Sequence, residues 1–221
     1  MNINLSDRLQ MVATLVDVGA KVIDVGCDHA YLSIYLTLNN NNNCIATDIN
    51  KNALESAKKN IKKYKLDKKI EVLLNDGLKD MDINSSDNIV ICGMGYHTIM
   101  DILSSNNLSD TLIISSNNNV DELRRSVINK GYYIDSEIFV IDNKIGYVII
   151  KFRRGIKKYS DNQYLFGPIL KTNMNYKKYL INKYKNIRKN ISNKKVLIKL
   201  KYSLMILKIK LYFKKSKKIK Y

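Results

Sequence analysis

The chain has 221 residues, 45% of them hydrophobic, with a single proline and a net charge of +18. That is enough apolar material for one ordinary domain plus an appendage, which excludes a chain disordered throughout. The charge is localised: 18 of the 38 basic residues and none of the 20 acidic ones fall in residues 171–221, so residues 1–170 carry 20 of each.

Ser6 to Val16 places Leu9, Val12, Ala13 and Val16 on one face and predicts an amphipathic helix. From Lys21 to Arg153, short β-branched runs alternate with helical patterns, which predicts βαβ units around a mostly parallel sheet. The strands fall at about 21–25, 44–48, 70–74, 88–92 and 111–115. Residues 39–43 form an asparagine tract, read as a loop before the second strand. Asn50 is a suitable N-cap for a helix through Ala53, Leu54, Ala57 and Ile61. A further helix over about 121–130 stops at Gly131. Segments 132–141 and 144–153, separated by Asp142-Asn143, predict an antiparallel pair that closes the sheet. Cys27, Cys44 and Cys92 each lie in or beside a strand run, and an odd number without CxxC spacing predicts buried reduced thiols.

Gly167-Pro168 opens a different kind of sequence. Leu180, Tyr184, Ile187 and Ile191 recur at spacings of four and three, and Leu197, Leu200, Leu204, Leu207 and Leu211 do the same. The expected result is two helices folded back as an antiparallel hairpin, with those residues as its seam. Its lysines lack acidic partners, so the hairpin is expected to bind a polyanion by counterion release. The expected domains are 1–157 and 158–221. No apolar run is long enough for a bilayer span and no signal-like segment opens the chain, so a soluble, cytoplasmic protein without membrane association is expected.

Four loops at the carboxyl ends of successive strands carry the chemistry, because ligands of open α/β sheets bind there. The first reads Asp24-Val25-Gly26-Cys27-Asp28-His29-Ala30. A dinucleotide site would show GxGxxG at this place, whereas here there is one glycine. A ligand with a sulfonium and an amino-acid tail suits the loop better than a pyrophosphate. The second strand ends at Asp48, followed by Ile49, where a carboxylate accepts hydrogen bonds from ribose hydroxyls. The third ends in Asp76-Gly77, a position for recognising an adenine amino group. The fourth ends in Gly93-Met94-Gly95, a turn into a helix.

These residues resemble a class I S-adenosylmethionine-dependent methyltransferase, and within it the bacterial tRNA (adenine-22 N1)-methyltransferases. The closer match rests on Leu5-Ser6-Asp7-Arg8-Leu9, the run from Asp24 to Leu32, the Cys92-Gly93-Met94-Gly95 loop and the Gly167-Pro168 entry into a coiled-coil tail. It implies a Rossmann-like α/β fold with a seven-stranded sheet and a C-terminal helical hairpin. It also implies S-adenosyl-L-methionine as cofactor and tRNA as substrate. No metal is expected, and the sequence leaves the oligomeric state open, with a monomer favoured. The implied cofactor residues are Asp24, Gly26, Cys27, Asp48, Ile49, Asp76, Gly77, Gly93, Met94 and Gly95.

Adenine N1 attacks with an in-plane lone pair, so the enzyme's task is positioning and charge stabilisation. Asp28 is the expected carboxylate near the developing charge, with His29 and Tyr31 as base contacts, and His29 reads equally as a cap of the following helix or a structural histidine. The chain departs from the family pattern at Tyr96, where a glycine is usual, and at Ser115-Ser116-Asn117, where Gln-Pro-Asn is usual. Tyr96 either stacks on a flipped base or packs. Two alternatives stay open: a non-catalytic RNA-binding protein on a methyltransferase-like scaffold, and an RNA methyltransferase of another base specificity, including a cytosine-C5 enzyme with Cys92 as nucleophile.

Overall fold

The computed structural model describes residues 3–84, 87–105 and 107–213. They divide into two compact units, Met1–Lys158 and Tyr159–Tyr221.

The first unit is built on a seven-stranded sheet: β1 Lys21–Val25, β2 Asn43–Asp48, β3 Ile70–Leu74, β4 Asn88–Met94, β5 Thr111–Ser116, β6 Tyr132–Asp142 and β7 Ile145–Arg154. The order is β3-β2-β1-β4-β5-β7-β6, and β7 runs antiparallel to both its neighbours. Val22, Ile23, Ile89, Val90, Ile91, Leu112, Ile113 and Ile114 are all fully buried. Consecutive residues of β1, β4 and β5 are thus covered on both faces, the reason these strands read as continuous apolar runs. The covering helices are α1 Asp7–Ala13, α2 Tyr31–Asn40, α3 Lys51–Lys63, α4 Tyr96–Ile102 and α5 Val120–Asn129. Inside this unit Arg124 of α5 and Glu137 of β6 form a fully buried ion pair at 2.8 Å.

The expected sheet and its antiparallel close are both present. Three local expectations need correction. The first helix ends at Ala13 rather than Val16, because Leu15 and Val16 donate to Val12 and Ala13 in tight three-residue turns. Val16 is still buried, so the apolar period outlasts the helix. The asparagine tract is not a simple loop. Asn39 and Asn40 finish α2, and Asn41 ends it in the left-handed region that asparagine tolerates. Asn42 is fully buried and its Nδ2 donates to the carbonyls of Asp17 and Ala20 at 2.9 and 2.7 Å. The β6–β7 turn lies one residue later than expected, at Asn143-Lys144, both with positive φ, and Asp142 pairs with Ile145.

The second unit holds α6 Asp161–Phe166, a 3-10 turn at Leu170–Thr172, α7 Met174–Lys189 and α8 Val196–Tyr212. A capping box between Ser160 and Gln163 starts α6, and the Asn173 side chain caps α7. Tyr176 meets Phe213, Tyr184 meets Tyr202 and Arg188 bonds Ser203, so α7 and α8 run antiparallel as expected. The expected leucine seam of α8 is wrong. Leu197, Leu200, Leu204, Leu207 and Leu211 are 51–81% exposed, while Ile206, Ile209 and Phe213 are buried. Helix α8 carries two apolar stripes, and an aromatic cluster chooses between them. Phe213 packs on Phe166 and Tyr176 with ring centroids 6.2 and 5.8 Å apart, which fixes the rotation of the helix. Among the described residues no helix is long and apolar enough to cross a membrane.

Candidate functional site

Strand order reverses between β1 and β4, and the crevice over their carboxyl ends is where open α/β sheets place ligands. Two adjoining cavities lie there. One of about 620 Å³ is lined by Gly26, Asp48, Ile49, Asp76, Gly77 and Met94, with Leu78 and Ile102 on its walls. The other, of about 390 Å³, is lined by Asp24, Gly26, Cys27, Asp28, His29, Tyr31, Asp48, Gly93 and Met94, together with Arg8. Gly26, Asp48 and Met94 belong to both. Of the residues expected at a cofactor site only Gly95 lines neither cavity; it is the N-cap of α4.

Local backbone geometry explains how one short loop reaches this crevice. Gly26 leaves β1 with φ of +73°, and a Cβ there would meet Met94 Cε at 2.2 Å. The backbone N–H groups of Gly26 and Cys27 both donate to the Thr47 carbonyl, at 2.8 and 2.9 Å, so the β1 loop is pinned across the end of β2. Asp28 and Ala30 hold positive φ without being glycine, a strained arrangement of the kind that persists where surrounding structure over-determines it. Asp28 N–H donates to Asp48 Oδ2 at 3.1 Å and Asn60 Nδ2 donates to the His29 carbonyl at 3.0 Å, which supplies that constraint. On the opposite side β4 carries a bulge between Cys92 and Met94, with Gly93 at φ +84°.

The carboxylates differ in what they already do. Asp24 is buried and accepts the Ser33 hydroxyl at 2.7 Å, together with the Ser33 backbone N–H, so it caps α2 while lining the smaller cavity. Burial, opposed by these bonds and reinforced by the Asp48 charge, pushes its pKa up to about 6. Asp48 accepts backbone N–H bonds from Asp28 and Asn50, with lone pairs left over for a ligand. Asp76 is largely exposed and paired with Lys79. The larger cavity also has Asp80 and Asp101 on its lining. Lined by this many carboxylates, the crevice favours a cationic ligand and disfavours a pyrophosphate.

Asp28, His29 and Tyr31 stand together at the outer edge. The His29 Nε2 lies 3.6 Å from Asp28 Oδ1, and the His29 and Tyr31 rings are 5.7 Å apart. Cys92 is not set up as a nucleophile: burial, with the Asp24 charge second, pushes its pKa up to about 12. Burial likewise pushes the Cys27 thiol upward. Tyr96 is held against α5 by its hydroxyl, 2.9 Å from Ser126 Oγ, which favours packing over stacking on a base.

The sequence assigns Arg8 no role beyond its place in the Leu5-Ser6-Asp7-Arg8-Leu9 run. Its guanidinium lies 5.0 Å over the Tyr147 ring and borders Gly93, which brings a cation from α1 to the end of β4. The loop after β5 departs from the family pattern, yet its asparagine is firmly held. Asn117 is fixed there by two bonds, its backbone N–H to the Met94 carbonyl at 2.9 Å and its Nδ2 to the Gly93 carbonyl at 2.8 Å. Among the described residues no group of three or more His, Cys, Asp or Glu is placed to hold a metal ion.

Residues 5–150 match the family described as "Methyltransferase domain". The chain is 32% identical over 158 residues to the tRNA (adenine(22)-N(1))-methyltransferase of Bacillus subtilis, covering 69% of this chain and 66% of that enzyme. Among solved structures, M. capricolum TrmK in complex with the cofactor product S-adenosyl-homocysteine is 32% identical with a TM-score of 0.82, covering 95% of this chain and 97% of that one. A protein of the NADB-Rossmann superfamily from Streptococcus agalactiae has a TM-score of 0.85 at 32% identity, covering 97% and 99%.

Proposed function

Because the chain belongs to the methyltransferase-domain family, among the bacterial tRNA (adenine(22)-N(1))-methyltransferases, we propose that it transfers a methyl group from S-adenosylmethionine to N1 of adenine 22 in tRNA. The carrying observation is the two-part, carboxylate-lined crevice at the reversal of strand order. Its lining fits a cationic nucleoside with an amino-acid tail. Asp48 would hold the ribose hydroxyls and Asp76 the adenine amino group, with Ile49 and Leu78 as apolar walls. Asp24 would face the ammonium of the tail and Arg8 its carboxylate.

When bound, S-adenosylmethionine supplies an electrophilic methyl on sulfur, and the S–C electron pair stays with sulfur as N1 forms the new N–C bond. No proton has to leave N1 beforehand, so no strong general base is required. Asp28 would stabilise the positive charge that the base acquires, and His29 and Tyr31 would flank the base. The bond from the Asp28 N–H to Asp48 Oδ2 supports this division of labour, since it ties the Asp28 loop to the carboxylate proposed for the ribose. The tail makes a separate contribution. Residues 171–221 carry 18 basic side chains and no acidic ones, which suits binding to the phosphate backbone of tRNA.

The test is transfer of labelled methyl to unmodified tRNA transcripts, followed by nuclease digestion and identification of the nucleoside. The proposal requires 1-methyladenosine that disappears when adenine 22 is replaced. Binding of tRNA without transfer would instead support the scaffold reading, and another methylated base would overturn the assigned specificity.

A further inference from the structure

We infer that Asn117 reads the exocyclic amino group of the target adenine and so acts as a specificity-determining residue of this site; the inference rests on the proposed N1 chemistry. The orientation of its carboxamide is fixed by physical necessity. A carbonyl oxygen only accepts, so the group 2.8 Å from the Gly93 carbonyl must be the Asn117 amide nitrogen. With one Nδ2 hydrogen committed there, and the backbone N–H committed to the Met94 carbonyl, the side chain keeps one Nδ2 hydrogen and its acceptor Oδ1, and the acceptor is the atom that matches an amino group. Asn117 is exposed, and the two residues that anchor it, Gly93 and Met94, line the smaller cavity beside Asp28 and His29. Its neighbour Asn118 is oriented oppositely: its Oδ1 accepts from the Tyr96 N–H at 2.8 Å, so of the two carboxamides that of Asn117 is the one whose oxygen is uncommitted.

An acceptor of this kind distinguishes the bases by their Watson–Crick edges. Adenine presents an N–H donor next to N1, whereas guanine presents a carbonyl oxygen there, which would face Oδ1 lone pair to lone pair. The same contact assists the reaction. Methylation at N1 leaves a positive charge shared with the amino nitrogen through the ring, so its N–H becomes a stronger donor as the N–C bond forms. A bond that strengthens along the reaction coordinate raises kcat more than it lowers KM. The departure of Ser115-Ser116 from Gln-Pro leaves this asparagine in place, held by the backbone of β4.

The experiment is a double-mutant cycle on full-length protein, pairing Asn117→Ala, and separately Asn117→Ser, with tRNA transcripts carrying either adenine or purine, which lacks the amino group, at position 22. Purine N1 is intrinsically less nucleophilic, so the informative quantity is the change in the adenine-to-purine ratio of kcat/KM between wild type and variant. Melting temperatures confirm that each variant is folded. Loss of one such bond predicts a ratio that falls about tenfold in either variant, expressed mainly in kcat. If both variants slow the two substrates by the same factor, Asn117 only braces the Gly93 loop and the inference is overturned. Absence of methyl transfer to adenine 22 by the wild type would overturn the proposed function itself, and this inference with it.

Discussion

The two units of this protein bury different things. The first encloses charged and polar groups with their partners: Arg124 with Glu137, Lys151 with Asp17, and Asp24 with Ser33. The second is held by a thin apolar and aromatic contact among Phe166, Tyr176, Leu180, Ile206, Ile209 and Phe213, and leaves a leucine stripe and its lysines in water. Specific chemistry needs charges held at fixed positions in a low-dielectric setting, whereas phosphate-backbone binding needs charge that is exposed and spread along a surface. Each unit is therefore stabilised in the way its proposed task permits.

The largest effect expected from breaking this contrast is on the first unit. Arg124→Met removes the ion-pair partner that the buried Glu137 has in α5 and should destabilise by about 3–5 kcal/mol, read from denaturant midpoints. The double variant Arg124→Met, Glu137→Met should recover most of that loss, because both buried charges of the pair are then removed together. Next is a pH effect at Asp24. Its pKa is raised from 3.8 to about 6 in the folded protein, so the folded state holds the proton more tightly than the unfolded state across that window. Stability from this group is fully present below the unfolded value and falls as pH rises to about 6, by about 3 kcal/mol in total. Asp24→Asn should flatten the stability profile between pH 4 and 6, measured by thermal melts across that range.

The second unit should respond to charge and not to its leucines. Changing Lys178, Lys185, Lys189, Lys201 and Lys208 together to Gln should weaken tRNA binding, and each lysine that sits on a phosphate should take about 0.9 off the slope of log K against log salt. Unchanged slopes would remove the second unit from the tRNA interface. The smallest effect belongs to the exposed stripe: Leu204→Lys should shift stability by no more than about 0.5 kcal/mol. Ile209→Lys, in the buried stripe, should cost several times as much. A reversal of these two would restore the leucine seam.

That last pair shows why the sequence was legible in one unit and misleading in the other. In β1, β4 and β5 the apolar runs are short and bounded, so only one arrangement buries them, and the sheet with its antiparallel close follows. In α8 two stripes each satisfy a helical period, and the choice is made by Phe166 and Tyr176, far away in sequence. The strand-end residues Asp24, Gly26, Asp48, Asp76 and Met94 were legible because chain order places them at one edge of a parallel sheet. Arg8 was not, since it lines the crevice from α1 while stacked on Tyr147, more than a hundred residues away, and Asn117 was not, since its link to the site is a bond to Gly93, more than twenty residues away. Nor does any local signal mark the positive φ of Asp28 and Ala30, because neither is glycine. Those angles are held by bonds with Asp48 and Asn60 that exist only once β2 has paired with β1 and α3 has docked.

The most direct measurement is calorimetric titration of S-adenosylmethionine into the full-length wild type and Asp48→Ala, with Arg124→Met as a control for general destabilisation. The account predicts that Asp48→Ala raises Kd by about 10- to 100-fold, the effect of losing charge-assisted hydrogen bonds to the ribose, while the folded control keeps the wild-type value. Superimposable isotherms for wild type and Asp48→Ala would contradict the assignment of the crevice as the cofactor site.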